Sequence, residues 1–185
     1  MQIFDYWLWE SALPKWFCEE QIKNIDWNKK SYGKINSKNG YIVNQEKRIT
    51  DVVWQDKSSP IGCIVNTYVN MANSQAGWNL NLTEFGDIQI GKYDGEKKGF
   101  YDWHADDGMR PNKNGLVRKL SISILLSDSS SFEGGNFEFK DFETQPELKQ
   151  GSILVFPSQI EHRVTPVVSG VRCSAVTWVK GPAFV

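Results

Sequence analysis

His104 and Asp106 stand two residues apart in Phe100-Tyr101-Asp102-Trp103-His104-Ala105-Asp106-Asp107. On an extended strand, residues i and i+2 project from the same face. An imidazole and a carboxylate at that spacing converge on one point. They supply two ligands of a 2-His-1-carboxylate site, which holds non-haem Fe(II) and leaves coordination positions open. Asp102 also shares a face with His104, so spacing alone leaves two carboxylates in play. The third ligand must be a second histidine. The chain has one other, His162, within Phe156-Pro157-Ser158-Gln159-Ile160-Glu161-His162-Arg163-Val164-Thr165-Pro166-Val167, and Arg172 follows it by ten residues.

This pattern resembles the 2-oxoglutarate/Fe(II)-dependent dioxygenases, and within them the prolyl 4-hydroxylase-like group. The likeness covers roughly residues 84–182. It takes in Tyr93-Asp94-Gly95, the His-x-Asp pair, Glu133-Gly134-Gly135, Gly151-Ser152-Ile153-Leu154-Val155-Phe156-Pro157, the distal His162-Arg163-Val164, and Arg172 followed by Trp178. The resemblance implies that His104, Asp106 and His162 ligate iron. It selects Asp106 over Asp102 and Asp107. Halogenating relatives carry a small residue there, so a carboxylate implies a hydroxylase.

The resemblance also implies a cation for the distal carboxylate of 2-oxoglutarate, and Arg172 is that residue. Its planar fork suits a carboxylate. The alternative is a surface arginine on an edge strand. Its neighbours Val171, Ala175, Val176, Trp178 and Val179 make that strand apolar, where an unpaired guanidinium is costly. A hairpin at Ser169-Gly170 is expected to return the chain beside the His162 strand and bring Arg172 there. Ser174 shares a face with Arg172, and Tyr93 matches a co-substrate tyrosine of the group. Trp103, Arg118 and Trp178 are expected near the substrate, with Tyr101 and Arg163 around the site. One departure is Leu125, where the oxygen-sensing relatives carry a further tyrosine.

The implied reaction couples oxidative decarboxylation of 2-oxoglutarate by O₂, giving succinate and CO₂, to hydroxylation of an unactivated C–H bond. Ascorbate is the implied reductant. A prolyl residue in a peptide or protein is the leading substrate. A free amino acid or other small molecule is the alternative. From a different class comes an inactive metal-binding relative acting as a binding module. A nucleic-acid demethylase of this kind would carry a second Arg six residues after Arg172, where this chain has Trp178. A cupin-type metal site would need more histidines.

The elements that must position these groups fall into two stretches. Ser11 is expected to cap a helix over 11–26, with Pro14 near its first turn. Residues 28–40 read as a loop and 41–55 as extended. Ser59 and Pro60 open a second helix over 59–73, where Ile61, Ile64, Val65, Tyr68, Val69 and Ala72 follow helical spacing. From residue 84 on, strands are predicted at 86–93, 100–104, 117–126, 135–140, 151–156, 162–168 and 171–179, with turn signals between several of them. A mostly β fold with supporting N-terminal helices is expected: a double-stranded β-helix, or jelly roll. The chain reads as a single domain, 1–83 supporting a core at 84–182. Asp107, Gly108, Pro111, Asn112, Asn114 and Gly115 make 105–116 a polar loop at the site, and a lid is expected there.

Composition narrows the alternatives. Lys and Arg total 21 against 22 Asp and Glu, without a long basic block, so the footprint of a phosphate-backbone binder is missing. No apolar run nears the roughly 18 residues of a spanning helix. The first residues carry acids and aromatics in place of a signal-peptide pattern. Cys18, Cys63 and Cys173 are odd in number and widely spaced, which fits neither a disulfide framework nor a zinc site. A reducing cytoplasmic setting, with no nucleic acid or membrane partner, is the resulting expectation. Eight Trp and ten Phe are many for 185 residues and suggest an aromatic core or groove.

Overall fold

The computed structural model describes residues 2–37, 40–106 and 111–183. Its frame is a nine-stranded antiparallel sheet. Trp7–Trp9, Ile153–Pro157, Leu116–Leu125, Val167–Pro182, Ile88–Asp94, Asp51–Gln55 and Ser31–Tyr32 lie side by side in that order. Phe132–Gly134 and Glu84–Phe85 also pair with Val167–Pro182. Against it stands a four-stranded sheet of Phe137–Phe139, His162–Val164, Phe100–His104 and Arg48–Ile49. Among the described residues, the hairpin strands Ile35–Ser37 and Gly40–Ile42 pair with each other and with no further strand. The expected jelly-roll architecture is the one found.

Period-two alternation sorts the large sheet into two faces. Ile88, Ile90, Leu120, Ile122, Ile124, Ile153, Val155, Cys173, Ala175 and Val179 enter one core cluster. That cluster also holds Ile61, Val65, Val69 and Ala72 of the helix Pro60–Gln75. The residues between them face the other way. Leu154 and Phe156 join Tyr93, Phe137, Phe139, Val164 and Val167 in a second cluster, rich in aromatics. Gln89, Tyr93, Ser123, Arg172, Ser174, Val176 and Trp178 line a cavity of about 400 Å³. The molecule is therefore layered: helices, large sheet, then cavity and small sheet.

The second helix runs Pro60–Gln75, close to its expected range, and Ser59 accepts a hydrogen bond from the Gly62 N–H at its start. The first is shorter than expected. It spans Lys15–Lys23, with Pro14 in the capping position and no side-chain cap. Ser11 lies outside it, with φ 47°, and its N–H donates to Ser152 Oγ. A proline accepts φ near −65°, so the helix starts right after it. Residues 28–40 are also less loop-like than expected, since they hold Ser31–Tyr32 and the first hairpin strand.

The turn at Ser169-Gly170 is not formed. Val167–Pro182 is one strand, and Ser169 and Gly170 pair with Glu133 and Phe132 inside it. Gly170 has φ 72°, and a Cβ there would sit 2.1 Å from the Ser131 carbonyl oxygen. The glycine serves a close strand approach, and a hairpin is not needed for it. The chain changes direction at Thr165-Pro166 instead, crossing from the small sheet to the large one. His162 and Arg172 therefore sit on facing sheets. Among the described residues no helix is long and apolar enough to cross a membrane, and Cys18, Cys63 and Cys173 are all unpaired.

Candidate metal centre and co-substrate pocket

His104 ends the strand Phe100–His104, and His162 begins His162–Val164. The two strands are neighbours and place His104 directly opposite His162. Asp106 lies just past the strand end, where its N–H donates to the Ser158 carbonyl at 2.9 Å. Its Oδ1 is 3.6 Å from His104 Nε2 and its Oδ2 is 3.6 Å from His162 Nε2. One donor atom from each residue falls within a 4.8 Å cluster. The pair two apart in sequence and the histidine 58 positions further along meet as expected.

The hydrogen bonds around this cluster favour a metal. His104 Nδ1 lies 2.8 Å from the Asp102 carbonyl, and His162 Nδ1 lies 3.0 Å from the Ile160 carbonyl. A carbonyl can only accept, so each Nδ1 carries the proton and each Nε2 lone pair is left for the cluster. Burial, and then the neighbouring His162, push His104 far below an ordinary imidazole, to about 3, so it is neutral at pH 7. Burial works to raise the Asp106 carboxyl. His162, His104, Arg118 and the Ser121 hydrogen bond outweigh it and hold Asp106 below the usual carboxylate range. Two imidazoles that turn Nε2 toward one carboxylate form a donor set that fits Fe(II).

Ser121 donates to Asp106 Oδ2 at 2.7 Å, and Ser158 Oγ lies 2.9 Å from Ser121 Oγ. Both serines are fully buried. Their roles escape a motif search, yet a signal existed. Leu120-Ser121-Ile122-Ser123-Ile124 alternates, which places both hydroxyls of this strand on the face opposite its apolar core. Tyr101 stacks on His104 with ring centroids 3.5 Å apart. An irregularity between His162 and Val164 in the pairing sets Val164 opposite Tyr101, so Tyr101 and His104 share a face although three apart. Asp102 turns elsewhere and takes Lys47 Nζ at 2.6 Å.

Arg172 lines the same cavity, opposite Tyr93 on the adjacent strand. It is 2% exposed. Its Nη1 donates to Ser174 Oγ at 3.1 Å, and its guanidinium lies 5.4 Å from the Tyr93 ring centre. Burial lowers its basicity, and Tyr93 opposes that. Among the described residues no carboxylate pairs with it. A buried guanidinium without an anion, next to a metal cluster, fits the distal carboxylate of a bound dicarboxylate. Gly135 approaches its stem so closely that a Cβ would lie 2.8 Å from Arg172 Cδ. Leu125 is buried, and with Arg172 it lines a second cavity of about 380 Å³.

Of the residues expected near substrate, Arg118 and Trp178 line the first cavity and Trp103 does not. Arg118 donates to the Asp106 carbonyl at 3.0 Å, and its guanidinium lies 4.1 Å over the Trp178 ring. Trp103 packs under the Arg163 guanidinium at 4.5 Å, and Arg163 is tied to Glu138. The same irregularity that turns Tyr101 inward turns Trp103 away. The expected lid at 105–116 lies partly outside the described residues, as does Asp107. Tyr32, Lys34 and Tyr41, at and beside the hairpin, also line the cavity. So does Arg48, whose place in Gln45-Glu46-Lys47-Arg48 reads as a solvated charge run.

Solved structures share this architecture. The viral collagen prolyl hydroxylase of Paramecium Bursaria Chlorella virus-1, solved with 2OG, superposes with a TM-score of 0.73 at 15% identity, over 96% of this chain and 97% of that one. A Pseudomonas putida prolyl-4-hydroxylase gives a TM-score of 0.68 at 19% identity, over 95% of this chain and 91% of that one. At these identities the likeness is one of fold. In sequence, a PKHD-type hydroxylase of Shewanella oneidensis is 37% identical over 83 residues, which are 43% of this chain and 37% of that protein. A PKHD-type hydroxylase of Synechococcus is 39% identical over 87 residues, 46% of this chain and 38% of that protein. The matched part is thus well under half the length of these relatives. The model of the 2OG-Fe(II) oxygenase superfamily matches residues 88–180, which take in the metal cluster and Arg172. With that match running over just more than half of its length, the chain belongs to the 2OG-Fe(II) oxygenase superfamily.

Proposed function

We propose that this protein hydroxylates an unactivated C–H bond of a prolyl residue in a peptide or protein, using Fe(II), 2-oxoglutarate and O₂ and releasing succinate and CO₂. The observation that carries the reading is the convergence of His104, Asp106 and His162 in one cavity with the unpaired guanidinium of Arg172. The prolyl substrate is supported by the structural relatives. One of them is a Trichoplax adhaerens prolyl hydroxylase solved with a peptide fragment of hypoxia inducible factor, with a TM-score of 0.67 at 17% identity. Ascorbate would serve as reductant. The three unpaired thiols suit a reducing cytoplasm.

In that reaction O₂ is the oxidant and 2-oxoglutarate a two-electron reductant, and Fe(II), when bound, would supply the centre at which they react. The chain's own residues do the rest. His104 and His162 present Nε2 lone pairs, kept in that tautomer by backbone carbonyls. Asp106 supplies the anionic ligand, held by Ser121. Arg172 and Ser174 take the distal carboxylate of 2-oxoglutarate, with Tyr93 at its side. Arg118 and Trp178 form a cationic and aromatic wall where the substrate approaches the metal. Tyr101 covers the His104 ring and keeps water from that side.

The test is succinate release by the purified protein with Fe(II), ascorbate, 2-oxoglutarate and O₂. Proline-rich peptides and free proline are compared, with product mass read in the same samples. Peptide-dependent succinate with one oxygen added to proline is the expected result. Stimulation by free proline alone would keep the oxygenase and overturn the peptide. His104→Ala, Asp106→Ala and His162→Ala should each abolish turnover, and full activity in any of them would overturn the triad.

A further inference from the structure

Arg48 is the second buried guanidinium of the cavity. It is 6% exposed. Nη1 donates to the Lys34 carbonyl at 3.0 Å and Nη2 to Gln89 Oε1 at 2.6 Å, both neutral acceptors. Nε has no partner. The guanidinium lies 4.5 Å over the Tyr101 ring, and that ring stacks on His104. Arg48 is thus one aromatic ring away from a metal ligand. The acids on adjoining strands are engaged: Asp51 with Lys30 and Lys97, Asp102 with Lys47.

Charge sets the chemistry of what it would bind. Arg48, Arg118, Arg172 and Lys34 line the cavity, and Asp106 is the one carboxylate among its described lining residues. Fe(II) brings two positive charges and 2-oxoglutarate two negative ones, so filling the site in this way leaves the excess of positive charge in place. Arg172 is then neutralised by the co-substrate. Arg48 is not. A buried cation with neutral partners is costly, and an anion placed beside it recovers that cost. We propose that Arg48 forms a substrate subsite for a carboxylate, separate from the co-substrate pocket at Arg172. The substrate would present a carboxylate near its reacting carbon, either its own α-carboxylate or an acidic side chain beside the target residue. The inference rests on the oxygenase reading above and narrows its substrate class.

The test is binding without turnover. Protein loaded with Mn(II) and 2-oxoglutarate under nitrogen is titrated and followed by tryptophan fluorescence, since Trp54 and Trp178 line the cavity. One arm compares L-proline with L-prolinamide. The other compares acetyl-Ala-Pro-Asp-amide with acetyl-Ala-Pro-Asn-amide. A carboxylate form binding at least tenfold tighter than its amide in one arm is expected, and that arm names the source. Arg48→Gln should erase the difference, and Arg48→Lys should keep part of it. Equal affinities in both arms with wild-type protein, or no binding by either carboxylate probe, would overturn the subsite without any variant. A preference that survives in folded Arg48→Gln would also overturn it. Affinity for 2-oxoglutarate is measured in the same samples. Its absence would count against the oxygenase reading and this subsite together, whereas normal co-substrate binding with no carboxylate preference counts against the subsite alone.

Discussion

The Asp106 carboxylate has two oxygens facing two imidazoles, and Ser121 engages one of them at 2.7 Å. That bond leaves Oδ1 as the freer donor for a metal. Outer partners of this kind are worth about tenfold to a hundredfold in metal affinity. Ser121→Ala should therefore weaken Mn(II) binding by about that factor while the fold is retained, and Ser121→Thr should restore most of it. An unchanged Mn(II) titration in Ser121→Ala would show that Asp106 needs no such support. Arg172 is the residue proposed to hold 2-oxoglutarate. Arg172→Ala should cost 2-oxoglutarate binding about 2 kcal/mol or more, because it strands a buried carboxylate. Equilibrium dialysis in the presence of Mn(II) reads this directly, and metal affinity should hardly move.

Elements carry these residues, and two glycines show how tightly. Gly134 and Gly135 have φ of 72° and 61°, a region that L side chains rarely adopt. Gly135 also lies against Arg172 and Val167. Gly135→Ala would strain the backbone and push a methyl group to 2.8 Å from Arg172 Cδ. The expected outcome is weaker 2-oxoglutarate binding with metal binding intact, checked by the same dialysis. Loss of both together would mean that the whole small sheet had shifted. The helix Pro60–Gln75 works from the opposite face, where Ile61, Val65, Val69 and Ala72 back the strands that hold the site. Ser59→Ala removes its cap and should lower stability by about 1 kcal/mol, read by urea denaturation.

At the scale of the whole molecule, burial shapes how stability follows pH. Burial raises the Cys18 thiol from 9.0 to about 11. Burial raises Cys173 as well, against the Ser127 hydrogen bond. A group whose folded pKa is raised contributes stability that is full below its unfolded pKa and lost as pH rises through the folded one. Stability should thus decline between about pH 9 and pH 11, and Cys18→Ala should soften that decline. Thermal melts across this range provide the check. Under native conditions only Cys63, the exposed thiol, should react quickly with an alkylating reagent. The sequence by itself named His104, Asp106, His162 and Arg172 as candidates and determined the second helix and the β core. The helix and the β core rest on residue spacing and on alternation, both of which are local, whereas the family resemblance selected Asp106 and Arg172. Tertiary structure decided the rest. Ser169-Gly170 carries the signature of a turn, but a strand partner at Phe132–Gly134 uses the glycine for close approach instead. An irregular pairing exchanged Trp103 for Tyr101 at the cavity wall. Arg48, in a charged run with every local sign of a solvated side chain, is buried because Gln89 and Tyr101 meet it from elements more than forty residues away. Spacing along a chain records what one strand or helix presents, whereas the partner each face meets depends on packing between distant segments.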